Sequence, residues 1–283
     1  MSEEQFRRIA GIAHREAGLV FPPGKAPLVS TRLNRRLRAL GLSGFAAYCD
    51  FLDSPEGAAE RRMMISALTT NVSSFFREDH HFGLLRSEIL PPLLDRARSG
   101  GRVRLWSAGC AAGQEAYSIA MVLAALEPGF AKLDIRILAS DIDPEVLRRG
   151  RDGWYDEREQ DDIPENYRRA FLTPCVNAGR SGIRISGELR RLVSFRELNL
   201  LDAWPMKGPF DVIFCRNVVI YFDGPTQERL WNRFRDICAP GGWLIVGHSE
   251  RLPPEMQGDF PVAGPTAYRY RPAPGEDRRH AWH

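Results

Sequence analysis

The stretch TTNVSSFFREDHHF, residues 69–82, concentrates side chains that can do chemistry. Hydroxyls and an amide precede Phe75 and Phe76, and the guanidinium of Arg77 follows them directly. A solvated loop does not favour two adjacent phenylalanines, whereas a packed helix shows a regular apolar period. The composition therefore indicates a functional segment, whose role depends on what surrounds it.

Polar residues also lie where predicted strands end. The run RVRLWSAG predicts a strand, and the turn that follows it contains Gly109 and Gly113 among small residues, which lets the backbone approach a ligand at a helix N-terminus. Three later strands end on polar side chains: Asp141, Asn199, and Arg216 with Asn217. Because ligands bind at the carboxyl ends of parallel strands, these residues predict a nucleoside pocket.

The turn favours a single nucleoside over a dinucleotide. The pattern GxGxxG is not met, since Ser107 and Ala112 occupy the positions of its first and third glycines, and no second nucleotide-binding half is evident. Asp141 lies 28 residues after Gly113, where it can accept hydrogen bonds from a ribose diol. S-adenosylmethionine, a nucleoside with a charged tail, therefore fits better than NAD.

The elements that position these residues are predicted from hydrophobic periodicity. Residues up to about 90 have helical patterns, and from Arg102 apolar strands alternate with helices, which indicates an α/β fold with a parallel, doubly wound sheet. The run RSGIRISGELRRLVSF predicts a small antiparallel β insertion, and TAYRYR predicts an edge strand. The predicted divisions are a helical domain (1–75), a linker helix (76–100), a sheet domain (101–272) with its insertion at about 175–196, and a disordered tail (273–283).

One N-terminal helix is unusually basic. In APLVSTRLNRRLRALG, Gly41 ends the predicted helix, and Ser30 or Thr31 is predicted to cap its start. Its apolar stripe contains Val29, Leu33, Leu37 and Leu40. Arg35 and Arg38 point away from this stripe, and Arg32 and Arg36 flank it. Residues 1–45 carry eight basic and three acidic side chains, whereas the whole chain carries only +3, which suggests an acidic partner.

Composition excludes several classes of protein. The 283 residues are 43% apolar with no run long enough to span a membrane, and the first residues are acidic where a signal peptide is basic, which predicts a cytoplasmic protein. Five scattered cysteines predict reduced thiols. The adjacent His80 and His81 would diverge by about 100° on a helix, so no metal site is predicted.

Five motifs together resemble the bacterial chemotaxis receptor methyltransferases, the CheR family: TTNVSSFFREDHHF, LWSAGCAAGQEAYSIAM, LASDIDPEVL, FDVIFCRNVVIYF and GGWLIVGHSE. The resemblance extends to about Arg271. It implies an all-helical N-terminal substrate-docking domain and a Rossmann-like class I methyltransferase domain with a small β insertion. It further implies methyl transfer from S-adenosylmethionine to glutamate side chains on the cytoplasmic helical bundle of chemoreceptors, in chemotactic adaptation, with S-adenosylhomocysteine as the product. In some members the insertion also grips a peptide at the receptor C-terminus, and the sequence leaves both outcomes open here.

The resemblance also implies roles for individual residues. Arg77 and Tyr221 would lie beside the transferred methyl group as the catalytic residues. The residues implied to bind the cofactor are Asn71, Ser73, Arg77, Gly109, Glu115, Asp141, Asn199, Leu200, Arg216 and Asn217. The arginines implied to dock the substrate are Arg32, Arg35, Arg36 and Arg38. Two departures from the family pattern, Gln114 in place of an acid and Ala116 in place of a proline, predict a changed cofactor affinity with unchanged chemistry.

Structural roles and two other functions compete with this interpretation. Asp143 before Pro144 is predicted to cap a helix, Arg77 could pair with Glu78 or Asp79, and Tyr221 could belong to the core. A basic helix also suits phosphates, so a nucleic-acid methyltransferase is one alternative, although the Pro-Pro of its NPPY motif is missing after Asn217. The other alternative is a non-catalytic scaffold that binds S-adenosylmethionine.

Overall fold

The computed structural model describes residues 1–177 and 179–272 as an N-terminal helical domain and a sheet domain joined by a short connecting segment. The tail predicted to be disordered, 273–283, lies outside the described residues. Within the described part of the chain, no helix combines the length and apolar character that crossing a bilayer requires. The five cysteines are free thiols, and all except Cys175 are buried, as the sequence predicts.

The N-terminal domain packs its helices around one apolar core. Its helices are α1 (Glu3–Ala17), α2 (Ala26–Ala39), α3 (Phe45–Asp53) and α4 (Ala58–Leu68). The predicted stripe of α2 is buried at Val29, Leu33 and Leu37. The predicted start of α2 is wrong: the helix begins at Ala26, because Pro27 fits the first turn, and Thr31 donates to the carbonyl of Pro27 from inside the helix.

The connecting helix runs without interruption through two adjacent prolines. Helix α5 (His80–Leu84) passes into a π-helical segment (Leu85–Ile89) and then into α6 (Leu90–Arg98). Pro91 and Pro92 lie in the first turn of α6, where a missing backbone N–H is tolerated.

The sheet domain has the predicted α/β architecture. Its main elements are β1 (Val103–Ala108), α7 (Gln114–Leu126), β2 (Ile135–Asp141), α8 (Pro144–Asp152), α10 (Gly187–Leu192), β6 (Val193–Glu197), β7 (Phe210–Cys215), α11 (Gly224–Ile237), β8 (Cys238–Val246), β9 (Val262–Gly264) and β10 (Ala267–Arg269). The described residues form a seven-stranded sheet in the order β6-β2-β1-β7-β8-β10-β9, in which β10 runs antiparallel to both of its neighbours, β8 and β9, and the other pairs are parallel. The strand order reverses between β1 and β7, which is where ligands bind in open sheets of this kind.

A separate three-stranded antiparallel sheet forms the insertion, but not within the predicted bounds. It contains β3 (Trp154–Asp156), β4 (Leu172–Asn177) and β5 (Arg180–Ile185), with helix α9 (Glu165–Phe171) between β3 and β4. The insertion therefore starts well before residue 175. It also ends at Ile185, because α10 and β6 return the chain to the main sheet, where β6 pairs with β2.

Candidate functional site

A cavity lies at the carboxyl ends of the strands, between the two domains. All eleven residues predicted to be catalytic or to bind the cofactor line it: Asn71, Ser73, Arg77, Gly109, Glu115, Asp141, Asn199, Leu200, Arg216, Asn217 and Tyr221. The N-terminal domain contributes Ala17 and Leu19 to the same wall, which the sequence did not indicate. Both domains therefore build one site.

The turn between β1 and α7 brings the backbone to the cavity. Gly109 and Gly113 have φ angles of 78° and 92°, a left-handed region that favours glycine. An added Cβ at Gly109 would collide with the side chain of Val218, and one at Gly113 would lie 2.7 Å from the Phe195 ring. The turn is therefore restricted to glycine at both positions for its conformation and for its packing.

Asp141 ends β2 as a buried carboxylate in the cavity wall. Its Oδ2 accepts a 2.8 Å hydrogen bond from the Ala111 amide, and its Oδ1 accepts a 3.0 Å bond from the Asp143 amide. Burial raises the pKa of Asp141 to about 6, and these two backbone bonds limit the rise. A carboxylate oxygen can accept two hydrogen bonds, so each oxygen retains capacity for a ligand hydroxyl.

Arg216 is a buried guanidinium that joins two carboxylates. Its Nη1 lies 3.2 Å from Glu115 Oε2, and its Nη2 lies 3.2 Å from Glu78 Oε2 and donates a 2.5 Å bond to the Arg77 carbonyl. Ser107 donates a 2.6 Å bond to the second oxygen of Glu115. Burial raises the pKa of Glu115 although Arg216 and Ser107 oppose it. Arg216 thereby fixes both Glu115 and the turn that carries Arg77.

The segment that carries Arg77 is held by its two phenylalanines. Phe75 packs edge-on against Tyr155 of the insertion at 4.9 Å between ring centroids, and Phe76 stacks on Tyr167 at 5.1 Å. The Arg77 Nη1 donates a 3.2 Å bond to the Val72 carbonyl, which is the only internal bond of its side chain among the described residues. Its other N–H donors remain available to a ligand in the cavity.

Contacts between the domains converge on the same site. Asn199 donates a 2.8 Å side-chain bond to the Glu16 carbonyl, and the Val20 amide donates a 2.9 Å bond to the Tyr221 carbonyl. Asn71 donates a 2.7 Å bond to Asp143. Asp143 also accepts from the Glu145 amide and caps α8, as predicted.

Two of the predicted docking arginines are engaged inside the protein. Arg36 donates bonds of 2.9 and 2.5 Å to the two oxygens of Glu60, which is only 5% exposed. Arg32 donates to the Leu68 carbonyl at 2.5 Å and to Thr70 Oγ1 at 2.9 Å, and so holds the start of the connecting segment. Both side chains therefore have a structural role within the protein, and their part in substrate docking stays a prediction.

The other two docking candidates are free of such contacts. Arg35 and Arg38 are exposed on α2, and within the described residues neither side chain has an internal hydrogen bond or ion pair. Their guanidinium donors are therefore available to a partner, and docking through them stays a prediction.

Glu250 is an organising residue that the sequence analysis missed. This buried carboxylate follows β8 and accepts bonds of 2.7–2.9 Å from the amides of Asn217, Val218, Val219 and Gly247. It fixes the positive φ of Asn217 (59°) and the loop after β7. The same strand-end reasoning that identified Asp141 would have identified Glu250, since it closely follows the strand predicted from GGWLIVGHS.

Gln114 and Ala116, the two departures from the family pattern in this turn, are not among the residues that line the cavity. Gln114 is buried and donates a 3.0 Å bond to Glu159 beside the insertion, and Ala116 is buried within α7. The predicted change in cofactor affinity therefore has no direct contact to support it. Gln114 instead joins the turn to the insertion.

The cavity suits a single nucleoside with a charged tail. Asp141 offers charged acceptors, the glycine turn offers a close backbone at the start of α7, and Leu198 and Val218 offer apolar contacts. Glu115 and Arg216 carry opposite charges beside that turn. The donor set therefore fits such a ligand.

Comparison with known proteins agrees over nearly the whole chain. Residues 4–69 match the family model described as "CheR methyltransferase, all-alpha domain", and residues 71–269 match "CheR methyltransferase, SAM binding domain". A probable chemotaxis protein methyltransferase of Rhizobium etli is 49% identical over 91% of this chain and 96% of its own length. The chemotaxis protein methyltransferase of Escherichia coli is 41% identical over 95% of this chain and 91% of its own length.

Proposed function

The chain belongs to the CheR methyltransferase family, and on this premise we propose that it methylates glutamate side chains of chemoreceptors with S-adenosylmethionine. One observation carries the proposal: a ribose-binding type of carboxylate, Asp141, and the two candidate catalytic groups of Arg77 and Tyr221 line the same cavity. A binding protein needs the first feature, whereas a transferase also needs the second.

The proposed cofactor contacts follow from the cavity wall. Asp141 accepts hydrogen bonds from the ribose hydroxyls, and the Gly109 turn approaches the tail. Glu115 and Arg216 carry the buried charges beside that turn. The remaining wall comprises Asn71, Ser73, Asn199, Leu200 and Asn217. When bound, S-adenosylmethionine supplies a methyl group on a positively charged sulfur.

The proposed reaction requires no general base from this chain. A glutamate carboxylate has a pKa near 4.3 in water and is already an ionised nucleophile at pH 7. Arg77 orients that carboxylate with its free N–H donors, and Tyr221, which lines the same cavity, donates a hydrogen bond. Alignment of this kind is worth up to about 7–11 kcal/mol of the barrier. Positioning is therefore the main contribution of the protein.

The proposed partner is the helical cytoplasmic bundle of a chemoreceptor, and the proposed setting is the cytoplasm. Arg35 and Arg38 offer positive charge to its glutamates from α2. A receptor C-terminal peptide is a second proposed contact, because β4 is an edge strand of the insertion and can pair with an extended peptide.

A transfer assay tests the proposal directly. The protein is incubated with tritiated S-adenosylmethionine and receptor cytoplasmic fragments, and methyl release is measured after mild base. Glutamate methyl esters release the label as methanol, whereas N-methyl groups retain it. A receptor fragment whose methylation-site glutamates are replaced by alanine is the matched control and should take up no label.

The same assay distinguishes the alternatives. Base-stable label on DNA or RNA, with affinity that falls steeply as salt rises, would favour a nucleic-acid methyltransferase. Calorimetric binding of S-adenosylmethionine without transfer to any receptor fragment would favour a scaffold. Either result would contradict the proposed function.

A further inference from the structure

Three potential metal ligands meet at the start of α5, outside the cavity. Among the described residues, one ligand atom each from Glu78, His80 and His81 lies within 4.8 Å of the other two. The centroids of the two imidazole rings are 4.1 Å apart. The two rings therefore lie close together although the residues are adjacent on a helix, which the sequence analysis did not expect.

The His81 ring is held in the tautomer that a metal requires. Its Nε2 lies 3.1 Å from the Pro265 carbonyl and 2.9 Å from Thr266 Oγ1. Because a carbonyl can only accept, this geometry assigns the proton to Nε2 and leaves a lone pair on Nδ1. Metal-binding histidines commonly donate their other N–H to a backbone carbonyl in this way.

The lone pair of His81 faces a second acceptor in a buried position. His81 is fully buried, and its Nδ1 has no hydrogen-bond partner among the described residues. The nearest carboxylate oxygen, Glu78 Oε2, lies 3.6 Å from His81 Nδ1 and has Arg216 Nη2 on its other side at 3.2 Å. The buried lone pair of Nδ1 therefore faces an acceptor rather than a donor, which costs free energy, and a cation between Nδ1 and Oε2 would satisfy it.

The negative charge around Glu78 is not fully balanced by the arginine beside it. Arg216 lies 3.2 Å from Glu78, but it is shared with Glu115 at the same distance, so two carboxylates compete for one guanidinium.

We propose that Glu78, His80 and His81 bind one divalent transition-metal ion of the zinc class. Two imidazoles and one carboxylate form a borderline donor set that suits Zn²⁺ or Co²⁺ rather than Mg²⁺ or Ca²⁺. His80 is exposed, so the ion can enter from solvent and keep water at a fourth position. His248 Nδ1 lies 3.1 Å from Glu78 Oε1 and orients the carboxylate from outside the ligand set.

The site is distinct from the cofactor cavity but adjoins its catalytic segment. None of the three proposed ligands is among the residues described as lining the cavity. Glu78 directly follows Arg77 and has a left-handed φ of 58°. A bound ion would hold this strained turn in place.

The test uses the tag-free full chain, freed of metal by a chelator and titrated with Co²⁺. We expect one equivalent to bind with the visible absorption of a low-symmetry N/O site, and Zn²⁺ to displace it and raise the melting temperature. His80→Ala removes an exposed ligand with little risk to folding, and it should weaken Co²⁺ binding at least tenfold. His14→Ala changes an exposed histidine outside the cluster and should bind Co²⁺ like the parent protein.

Two further variants make the result specific. Glu78→Gln preserves shape but removes the charged ligand, and it should also weaken binding at least tenfold. A His280→Ala/His283→Ala variant removes the two histidines beyond the described residues and should retain full binding. No uptake of Co²⁺ by the parent protein, parent-like affinity in His80→Ala, or loss confined to the tail variant would each overturn the proposal.

Discussion

The Asp141 carboxylate accepts a 2.8 Å hydrogen bond from the amide of Ala111, which joins the end of β2 to the glycine turn after β1. One residue therefore shapes the turn and presents charged acceptors to the cavity. Because the carboxylate is buried, its contribution to ligand binding depends on its ionisation as well as on its position.

Asp141→Asn should weaken S-adenosylmethionine binding about tenfold while the protein stays folded. The Asn side chain still offers an acceptor to the turn. A ribose hydroxyl would, however, donate to a neutral oxygen in place of a charged one, which weakens its hydrogen bond by about 1–1.5 kcal/mol. Titration calorimetry measures the change, and Asp162→Asn, an exposed site, is the control. Unchanged affinity in a folded Asp141→Asn protein would remove this residue from the cofactor contacts.

Cofactor affinity should fall as the pH drops through 6. The pKa of Asp141 is about 6 in the free protein, and ligand hydroxyls that donate to the carboxylate favour its ionised form. Binding is therefore strongest above pH 6, and at pH 5 it should be weaker by about tenfold. The ratio of dissociation constants for parent and Asp141→Asn, measured at each pH, cancels ionisation of the ligand itself. If this ratio stays constant from pH 5 to 7.5, the ionised Asp141 carboxylate does not contribute to cofactor binding.

Arg77→Ala should lower kcat far more than cofactor affinity. Loss of the charged donor that positions the reacting carboxylate should lower kcat by about 10²–10³-fold. Tyr221→Phe removes a single neutral hydrogen bond and should cost only about tenfold. Methyl-transfer rates at saturating S-adenosylmethionine, together with calorimetry, separate the two effects, and Arg86→Ala, an exposed site on the connecting helix, is the control. A normal rate in Arg77→Ala would refute the positioning role.

Replacing both Arg35 and Arg38 with glutamate should slow methylation at low receptor concentration. Both side chains are exposed and do not contribute to the core, so the melting temperature and cofactor affinity should persist. Electrostatic steering is screened over about 10 Å at 0.1 M salt, so the difference from the parent protein should shrink as salt rises.

A charge-matched control separates docking from net charge. Lys132 and Arg136 are exposed near the amino end of β2, on the edge of the sheet opposite the cavity. Lys132→Glu/Arg136→Glu changes the net charge equally and should leave the rates close to those of the parent protein. Equal slowing in both double variants would show that α2 has no special docking role.

Arg36→Ala should lower the free energy of unfolding by about 3 kcal/mol. Among the described residues, the substitution leaves the buried Glu60 carboxylate with the Tyr48 hydroxyl bond alone, and an unpaired buried charge is costly. Urea denaturation measures the effect, and Arg35→Ala, the exposed neighbour, should change stability by less than about 0.5 kcal/mol. Equal effects would mean that the Arg36–Glu60 pair does not stabilise the domain.

The elements that build the cavity could be predicted because their signals are local. QEAYSIAMVLAAL coincides with α7 and IRILASD with β2, and the strand-end side chains of a parallel sheet necessarily meet at one edge. The positions of Asp141 and Arg216 follow from that geometry alone. Their roles remain predictions for the experiments above.

The features that could not be predicted depend on distant partners. The three residues of β3 pair with β5 only after α9 and β4 intervene, so no local period marks the start of the insertion. Helical spacing placed Arg36 beside the apolar stripe of α2 but could not reveal Glu60, which lies 24 residues away in sequence. Long-range pairing decides both cases.

The four backbone amides that donate to Glu250 limit where residues can be inserted into the chain. Asn217, Val218, Val219 and Gly247 must keep their spacing to reach one carboxylate, so both loops tolerate substitution more readily than insertion. A fused tag or reporter domain therefore does not belong in the loops after β7 and β8.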